Sequence, residues 1–122
     1  MLSVPGTVKI FLCLAPTDMR KSIDGLVGLA NNVLRQDPLS GHLFVFLGNR
    51  RDRLKLLYFD GDGYALWYKR LEVGVFRLPA AQPDETSLTL SSADLSLLLS
   101  GVDLASVRRS KRYQRPEACV PT

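Results

Sequence analysis

Four aspartates are the side chains of this sequence best suited to metal-dependent chemistry: Asp18, Asp24, Asp60 and Asp62. Carboxylates that gather around two metal ions can catalyse phosphoryl transfer. No spacing in the sequence forces these four together, because helix caps and turns account for each of them. A metal-dependent nuclease is therefore kept only as the weakest of the functional alternatives.

Two of these aspartates belong to the motif Asp60-Gly61-Asp62-Gly63, which resembles the start of a calcium-binding loop. A calcium loop needs a third ligand two residues later and a glutamate at its twelfth position. Tyr64 and Leu71 occupy those positions. The motif instead predicts a tight hairpin turn, in which glycine supplies the positive φ angles.

The other possible metal ligands or nucleophiles are isolated. His42 is the only histidine, and the two cysteines, Cys13 and Cys119, lie near opposite ends of the chain without zinc-ligand spacing. His42 is best interpreted as a loop residue at a strand start. We expect reduced thiols, no metal and no cofactor.

A basic hairpin is the strongest binding signal. The stretch NRRDRLK places Arg50, Arg51, Arg53 and Lys55 within six residues, with Asp52 as the only opposing charge. A two-residue turn at Asp60–Gly63 would put Arg53 and Lys55 on the same face of the hairpin as Tyr64, Tyr68 and Arg70. Cations beside aromatic rings suit phosphate contact combined with base stacking. The alternative is a solvated sheet face with packed rings.

The opposite face of this hairpin is apolar. It carries Leu54 and Leu56 on one strand, and Trp67, Lys69 and Leu71 on the other. The pattern predicts that Trp67 is buried and that Trp67→Ala destabilises the fold by roughly 3–5 kcal/mol.

The net charge of +4 lies in the C-terminal tail. Residues 107–122 hold five basic groups against Glu117, whereas the rest of the chain balances 11 basic with 11 acidic groups. Basic tails of this kind contact phosphate backbones or simply remain solvated. The charge density and the lack of apolar periodicity predict that 107–122 is mostly disordered.

The stretch TDMRKSIDGL (17–26) combines helix-start signals with cations. Asp18 and Asp24 suit a cap and a first helical turn, where the helix dipole favours anions. Arg20 and Lys21 are unfavourable there. They indicate either a binding role or partners such as Asp24 or Asp60, and the sequence leaves this choice open.

Periodicity predicts an α+β protein. Strands are expected at 8–14, 42–47, 53–59 and 64–71, with a possible fifth at 74–79. Apolar positions 23, 26, 27, 30, 33 and 34 mark one face of a long helix, and a short helix of about nine residues follows Ser91 or Ser92 and stops at Gly101. We expect an antiparallel sheet of four to five strands in a single domain (1–106), followed by the tail (107–122).

No apolar run approaches the roughly 18 residues of a membrane helix, and the N-terminus lacks a signal peptide. We therefore expect a cytoplasmic protein without membrane contact. The candidate nucleic-acid-binding residues share positive charge or an adjacent ring. They are Arg20, Lys21, Arg50, Arg51, Arg53, Lys55, Tyr68, Lys69, Arg70, Arg108, Arg109, Lys111 and Arg112.

Three blocks of the chain resemble the TnpB-type accessory protein of the insertion-sequence-66 (IS66) family of bacterial transposons. They are DMRKSIDGL, DPLSGHLFVFLGNRRDRLKLLYFDGDGYALWYKRLE and LLSGVDLASVRRSKRYQRPE, and the resemblance covers roughly residues 7–117. One departure is Ser22 followed by Ile23, where the family pattern has glycine and then an aromatic residue.

The resemblance implies a role in transposition beside a separate transposase that carries the catalytic residues. It implies no established catalytic residue and no cofactor for this chain. The expected partners are the DNA of the transposon ends, the cognate transposase and other element-encoded proteins. The main hypothesis is a non-enzymatic, DNA-associated accessory factor, and the alternative is a protein–protein adaptor for the transposase that never touches DNA.

Overall fold

The computed structural model describes residues 7–78, 81–82, 84–100, 102–103 and 108–109. The elements in chain order are β1 (Ile10–Cys13), α1 (Ile23–Asn32), β2 (Leu43–Leu47), β3 (Arg53–Phe59), β4 (Tyr64–Arg70), β5 (Ser87–Leu90), α2 (Ser92–Leu99), β6 (Val102–Asp103) and β7 (Arg108–Arg109). Five strands form one sheet in the order β4-β3-β2-β1-β5, and β6 pairs with β7. The α+β class predicted from periodicity is confirmed.

The prediction of a purely antiparallel sheet is wrong. Strands β1 and β2 are parallel, whereas the other neighbours in the five-stranded sheet are antiparallel. The reason is the helix between them: α1 carries the chain back along the sheet, so that β2 starts at the same end as β1. The sheet is mixed.

Both faces of this sheet are covered. Helix α1 packs on one face through Leu26 and Ala30, and Leu34 follows the helix into the same core, against Phe44 and Phe46 of β2. Helix α2 packs on the other face. The buried residues of that second core are Ile10, Leu12, Leu43, Val45, Leu47, Leu54, Leu56, Phe76, Leu90, Leu95, Leu98 and Leu99. Since both faces are buried, β2 is apolar throughout instead of alternating.

The two helix starts differ. Helix α2 has a capping box, in which the Ser91 hydroxyl accepts from the Asp94 N–H while the Asp94 carboxylate accepts from the Ser91 N–H. Ser22 occupies the N-cap position of α1, but its side chain makes no capping hydrogen bond. Of the caps predicted from sequence, Ser91 is confirmed. None of the helices in the described ranges is long and apolar enough to cross a membrane.

The segment after β4 departs from the prediction. Residues 74–78 form no strand, and Phe76 instead inserts into the α2-side core with no exposed surface. The fifth strand of the sheet is β5, which pairs antiparallel with β1. The stop at Gly101 lies outside the described residues.

The tail is described only in part. Arg108 and Arg109 pair with Val102 and Asp103. Residues 110–122 lie outside the described ranges, and the prediction for them stays a prediction.

Strands β3 and β4 place the predicted residues on each face of the hairpin. Arg53 lies opposite Arg70 and Phe59 opposite Tyr64, without a bulge. The Asp60 N–H donates to the Gly63 carbonyl at 3.0 Å, which closes the two-residue turn. Gly61 in this turn has φ 105°, a conformation that glycine adopts without strain.

Trp67 packs against the α2-side core opposite Leu56 but remains partly exposed on the outer strand β4. We therefore expect Trp67→Ala to reduce the free energy of unfolding by about 2–3 kcal/mol, below the range for a fully buried tryptophan. Urea denaturation measures the change. Tyr68→Ala, which removes an exposed neighbouring ring, should cost less than about 1 kcal/mol. Equal losses in the two variants would contradict the placement of Trp67.

Candidate nucleic-acid interface

The basic loop between β2 and β3 (residues 48–52, the hairpin loop) is held by backbone hydrogen bonds at both ends. The Gly48 N–H donates to the Arg53 carbonyl at 3.1 Å, and the Arg51 N–H donates to the Gly48 carbonyl at 2.9 Å. Two further bonds come from the chain after β4. The Leu71 N–H donates to the Asp52 carbonyl, and the Phe76 N–H donates to the Arg51 carbonyl, both at 2.7 Å.

These contacts fix Arg51 in a left-handed backbone conformation, with φ 61°. A non-glycine residue adopts this conformation only where its surroundings impose it. Phe76 supplies the constraint, because its ring is buried in the core while its N–H bonds to the loop. The hairpin loop is therefore a fixed support for its arginines.

The residues leading into α1 (17–22, the lead-in segment) lie beside the hairpin loop. The Thr17 N–H donates to the Leu47 carbonyl at 2.8 Å. Met19 packs so closely over Gly48 that a Cβ there would lie 2.8 Å from the Met19 Cγ atom. A larger residue at position 48 would separate the two segments.

Lys55 fastens the lead-in segment to the sheet. Its Nζ atom donates to the carbonyls of Met19 and Lys21, each at 2.8 Å, and lies 5.2 Å from the centre of the Tyr68 ring. The Lys55 side chain is only 8% exposed. The lead-in segment thus covers Lys55 on the face that it shares with Arg53, and a contact of Lys55 with nucleic acid stays a prediction.

A groove of about 460 Å³ opens between the two segments. Thr17, Asp18 and Met19 line one wall, and residues of the hairpin loop together with Arg53 of β3 line the other. The second wall consists of Gly48, Asn49, Arg50, Asp52 and Arg53. The two charge-rich stretches noted in the sequence thus meet at one site.

The arginines around this groove fall into two groups. Arg20 pairs with Asp18 (2.8 Å), and Arg70 pairs with Glu72 (2.7 Å). The other group comprises Arg50, Arg51 and Arg53 (the hairpin arginines). Within the described part of the chain, no carboxylate oxygen lies within 4.0 Å of their guanidinium nitrogens. All three are exposed.

Arg53 and Arg70 lie directly opposite each other on β3 and β4. Like charges in that position repel each other, which disfavours the sheet unless an anion lies between or above them. Glu72 neutralises only one of these two positive charges, that of Arg70, with which it forms an ion pair. Tyr68, 49% exposed, lies on the same face of β4.

Arg20 holds Asp18 in its ionised form. Hydrogen bonds from the Arg20 side chain to both carboxylate oxygens, aided by the Arg20 N–H, lower the pKa of Asp18 to about 2. Asp18 thereby closes a tight turn at the start of the lead-in segment. This pairing answers part of the question raised by TDMRKSIDGL: Arg20 is the partner of Asp18 and not of Asp24 or Asp60.

We expect Arg20→Ala to raise the pKa of Asp18 from about 2 toward its ordinary value of 3.8. Since the folded-state pKa is the lower one, the stabilising pair is fully present above about pH 4 and is lost as the pH falls toward 2. Carboxyl-carbon NMR titration measures the midpoint. Lys9→Ala, which removes an exposed lysine near the opposite end of β2, should leave it unchanged. A wild-type midpoint near 3.8 would contradict the ion pair.

Lys69 also has a structural partner. Its Nζ atom donates to the Leu99 carbonyl at 2.7 Å, at the C-terminal end of α2, where the helix dipole favours a cation. Lys69 lies on the α2 side of the sheet, opposite to the face of Arg53 and Tyr68. It therefore does not belong to the surface formed by the hairpin arginines.

The remaining candidates are divided by the described ranges. Lys21 is exposed, and its carbonyl accepts from Lys55. Arg108 and Arg109 lie on β7. Lys111 and Arg112 lie outside the described residues.

The alternative chemistries receive no geometric support. Across the described ranges, no group of three His, Cys, Asp or Glu side chains could hold a metal ion. Asp18 and Asp60 lie near opposite ends of β3. The His42 Nδ1 atom accepts from the Lys9 N–H at 3.0 Å, which gives it a structural role at the start of β2. Burial raises the pKa of the Cys13 thiol, which makes it a poor nucleophile.

Comparison with known proteins identifies the chain's relatives. The family model described as "IS66 Orf2 like protein" matches residues 8–109. The chain is 38% identical over 116 residues to "Uncharacterized protein y4jC" of Sinorhizobium fredii, covering 95% of this chain and 97% of that protein. It is 39% identical over 103 residues to "Uncharacterized protein y4hO" of the same organism, covering 84% and 88%. No solved structure matches. These matches confirm the resemblance seen in the sequence blocks, and the chain belongs to the IS66 Orf2-like family.

Proposed function

We propose that this protein is a non-catalytic accessory factor of DNA transposition that contacts DNA phosphates through the hairpin arginines. Membership of the IS66 Orf2-like family supports the role in transposition. One structural observation carries the DNA contact. Arg50 and Arg51 on the anchored loop and Arg53 at the start of β3 are exposed, and they have no carboxylate partner among the described residues.

Phosphate is the ligand that this arrangement favours. A guanidinium group donates two parallel hydrogen bonds to phosphate oxygens. Four backbone hydrogen bonds fix the loop, so that binding costs little additional backbone entropy. Phosphate contacts of this kind orient a protein on DNA without reading its sequence.

The juxtaposed Arg53 and Arg70 extend the same surface. A phosphate between them would offset the repulsion of the two guanidinium groups, which Glu72 relieves only at Arg70. The exposed Tyr68 ring on this face can stack on a base where the duplex is open. The surface therefore suits the ends of an element, where strands are opened during transposition.

The test is a titration of the isolated full-length protein against a duplex carrying the terminal sequence of its element and against a scrambled duplex. We expect binding to both, with log K falling linearly as log salt rises. Binding that is absent at low salt would refute a direct DNA contact.

A second candidate is an adaptor that binds the transposase without DNA. The observation that favours it is the half-exposed Tyr68 on the outer strand β4, since tyrosine is enriched in protein interfaces. A pull-down with the cognate transposase, with and without terminal DNA, separates the two functions. Capture that needs DNA supports the proposed function, and capture that survives nuclease treatment without any DNA binding by the isolated protein supports the adaptor.

A further inference from the structure

We propose that two copies of this chain pair through the outer edge of β4 and form one continuous ten-stranded sheet. Strand β4 is the last strand on its side of the sheet. It has seven residues, contains neither proline nor glycine, and pairs with β3 along its whole length without a bulge. Such an edge is a template for another strand unless something blocks it.

The hydrogen-bonding pattern shows which groups face outward. Asp60 and Gly63 form a hydrogen-bonded pair. Along an antiparallel ladder, hydrogen-bonded pairs alternate with pairs whose backbone groups point away from each other. Ala65, Trp67 and Lys69 therefore direct their backbone groups toward β3. The bond from the Leu71 N–H to the Asp52 carbonyl continues the same alternation. The outward residues are Tyr64, Leu66, Tyr68 and Arg70.

The strand that pairs with this edge is the β4 strand of a second copy, because the charge distribution of β4 is complementary to itself in the antiparallel direction. Its two cations, Lys69 and Arg70, lie at one end, and its other five residues are uncharged. Full overlap of two antiparallel copies places Arg70 beside Tyr64 of the second copy, and Tyr68 beside Leu66. This register pairs outward residues with outward residues, so about eight backbone hydrogen bonds can form. A parallel arrangement would instead place cations beside cations.

Among the described residues, the edge lacks the usual obstacles to pairing. A lysine on an edge strand commonly prevents association. Here the Lys69 ammonium is engaged by the Leu99 carbonyl on the α2 side, and Arg70 is engaged by Glu72. Trp67, the only tryptophan of the chain, would lie on the twofold axis facing its symmetry mate.

The symmetry has a consequence for DNA that rests on the proposed function. A twofold axis normal to the sheet does not exchange its two faces, so both hairpin loops present their arginines on the same side of the ten-stranded sheet. The two hairpin loops are separated by about nine residue rises along the strand direction and by four strand spacings across it. Together these two components place the loops roughly 35 Å apart. This distance is close to one turn of duplex DNA, the spacing at which twofold-symmetric proteins contact successive half-sites. The dimer would thus contact two phosphate segments about one turn apart.

The first experiment needs no DNA, so its outcome is independent of the proposed function. Sedimentation equilibrium should give twice the 13.6 kDa chain mass for the wild type, with tryptophan emission that changes on dilution as Trp67 leaves the axis. Tyr68→Ala keeps the outward N–H and should remain dimeric. Tyr68→Pro removes that N–H without breaking a bond to β3, and should be a folded monomer.

Amide exchange of the wild type gives a second measurement that does not depend on the folding of the proline variant. The outward amides of Tyr64, Leu66, Tyr68 and Arg70 should be as protected as the inward ones at high concentration and should lose that protection on dilution. Three results would overturn the proposal: a wild-type monomer at all concentrations, a dimer that persists in Tyr68→Pro, or outward amides that become protected only when transposase is added.

Discussion

Replacing Arg50, Arg51 and Arg53 together with alanine is expected to flatten the salt dependence of DNA binding by up to about 3 in the slope of log K against log salt. Each phosphate contact on duplex DNA contributes about 0.9 to that slope, because it releases condensed counterions. At 100 mM salt the loss of affinity should be on the order of 100-fold. Since the contacts are to phosphates, the loss should be similar for every duplex tested.

The fold should tolerate this triple substitution. All three side chains are exposed, and each substitution should change the free energy of unfolding by less than about 0.5 kcal/mol. Alanine meets the same backbone constraint as arginine at the left-handed position 51, so no new strain arises there. Thermal unfolding of the variant checks this before binding is measured.

A control variant removes positive charge from elsewhere. Lys9, just before β1, and Arg35, after the end of α1, are exposed, and Arg35 shares the left-handed conformation of Arg51 with φ 56°. Replacing these two with alanine lowers the net charge but should leave the slope nearly unchanged. Deleting residues 107–122 should also flatten the slope of log K against log salt. Its effect per charge removed should be smaller than that of replacing the hairpin arginines.

Equal slopes for the hairpin variant and the control variant would contradict the phosphate site. Binding weaker than about 100 μM at low salt for all proteins, below the usual non-specific affinity, would also contradict it. In either case the adaptor function would become the better explanation of the exposed hairpin.

Replacing Lys55 with methionine is expected to reduce the free energy of unfolding by about 2–4 kcal/mol. The substitution removes two charge-assisted hydrogen bonds to the carbonyls of Met19 and Lys21, each of which contributes about 1.5–3 kcal/mol. It also removes the contact between the ammonium and the Tyr68 ring, worth about 0.5–1 kcal/mol. Relief from burying a charge offsets part of the loss.

The effect of Lys55→Met should be largest in the lead-in segment. Amide exchange at Lys21 and Leu26 should accelerate more than exchange in β2, because the segment loses its attachment to the sheet. Lys9→Met, which removes an exposed lysine, should change stability by less than about 0.5 kcal/mol. If the two variants are equally stable, Lys55 does not hold the segment in place.

The amino-acid sequence alone determined the elements whose signals are local. The spacing of apolar residues after Ile23 identified the face of α1 that buries Leu26 and Ala30. The Asp60–Gly63 motif indicated which residues of β3 and β4 share a face, since either placement of a two-residue turn gives the same faces. Ser91 and Ser92 marked the start of α2, and the structure has Ser91 as the cap, with its hydroxyl bonded to a backbone group three residues away.

Only the tertiary structure decided the features that depend on residues distant in the chain. Alternation correctly placed Lys55 on the face of Arg53, yet Lys55 is buried because a segment about 35 residues earlier folds over it. Lys69, another candidate for DNA contact, donates from its ammonium to the Leu99 carbonyl of α2, 30 residues later in the chain. The parallel pairing of β1 with β2 likewise follows from where α1 packs. Periodicity reports which side of an element is apolar, but whether a cation on that element meets water, a carbonyl or a phosphate depends on which other part of the chain lies above it.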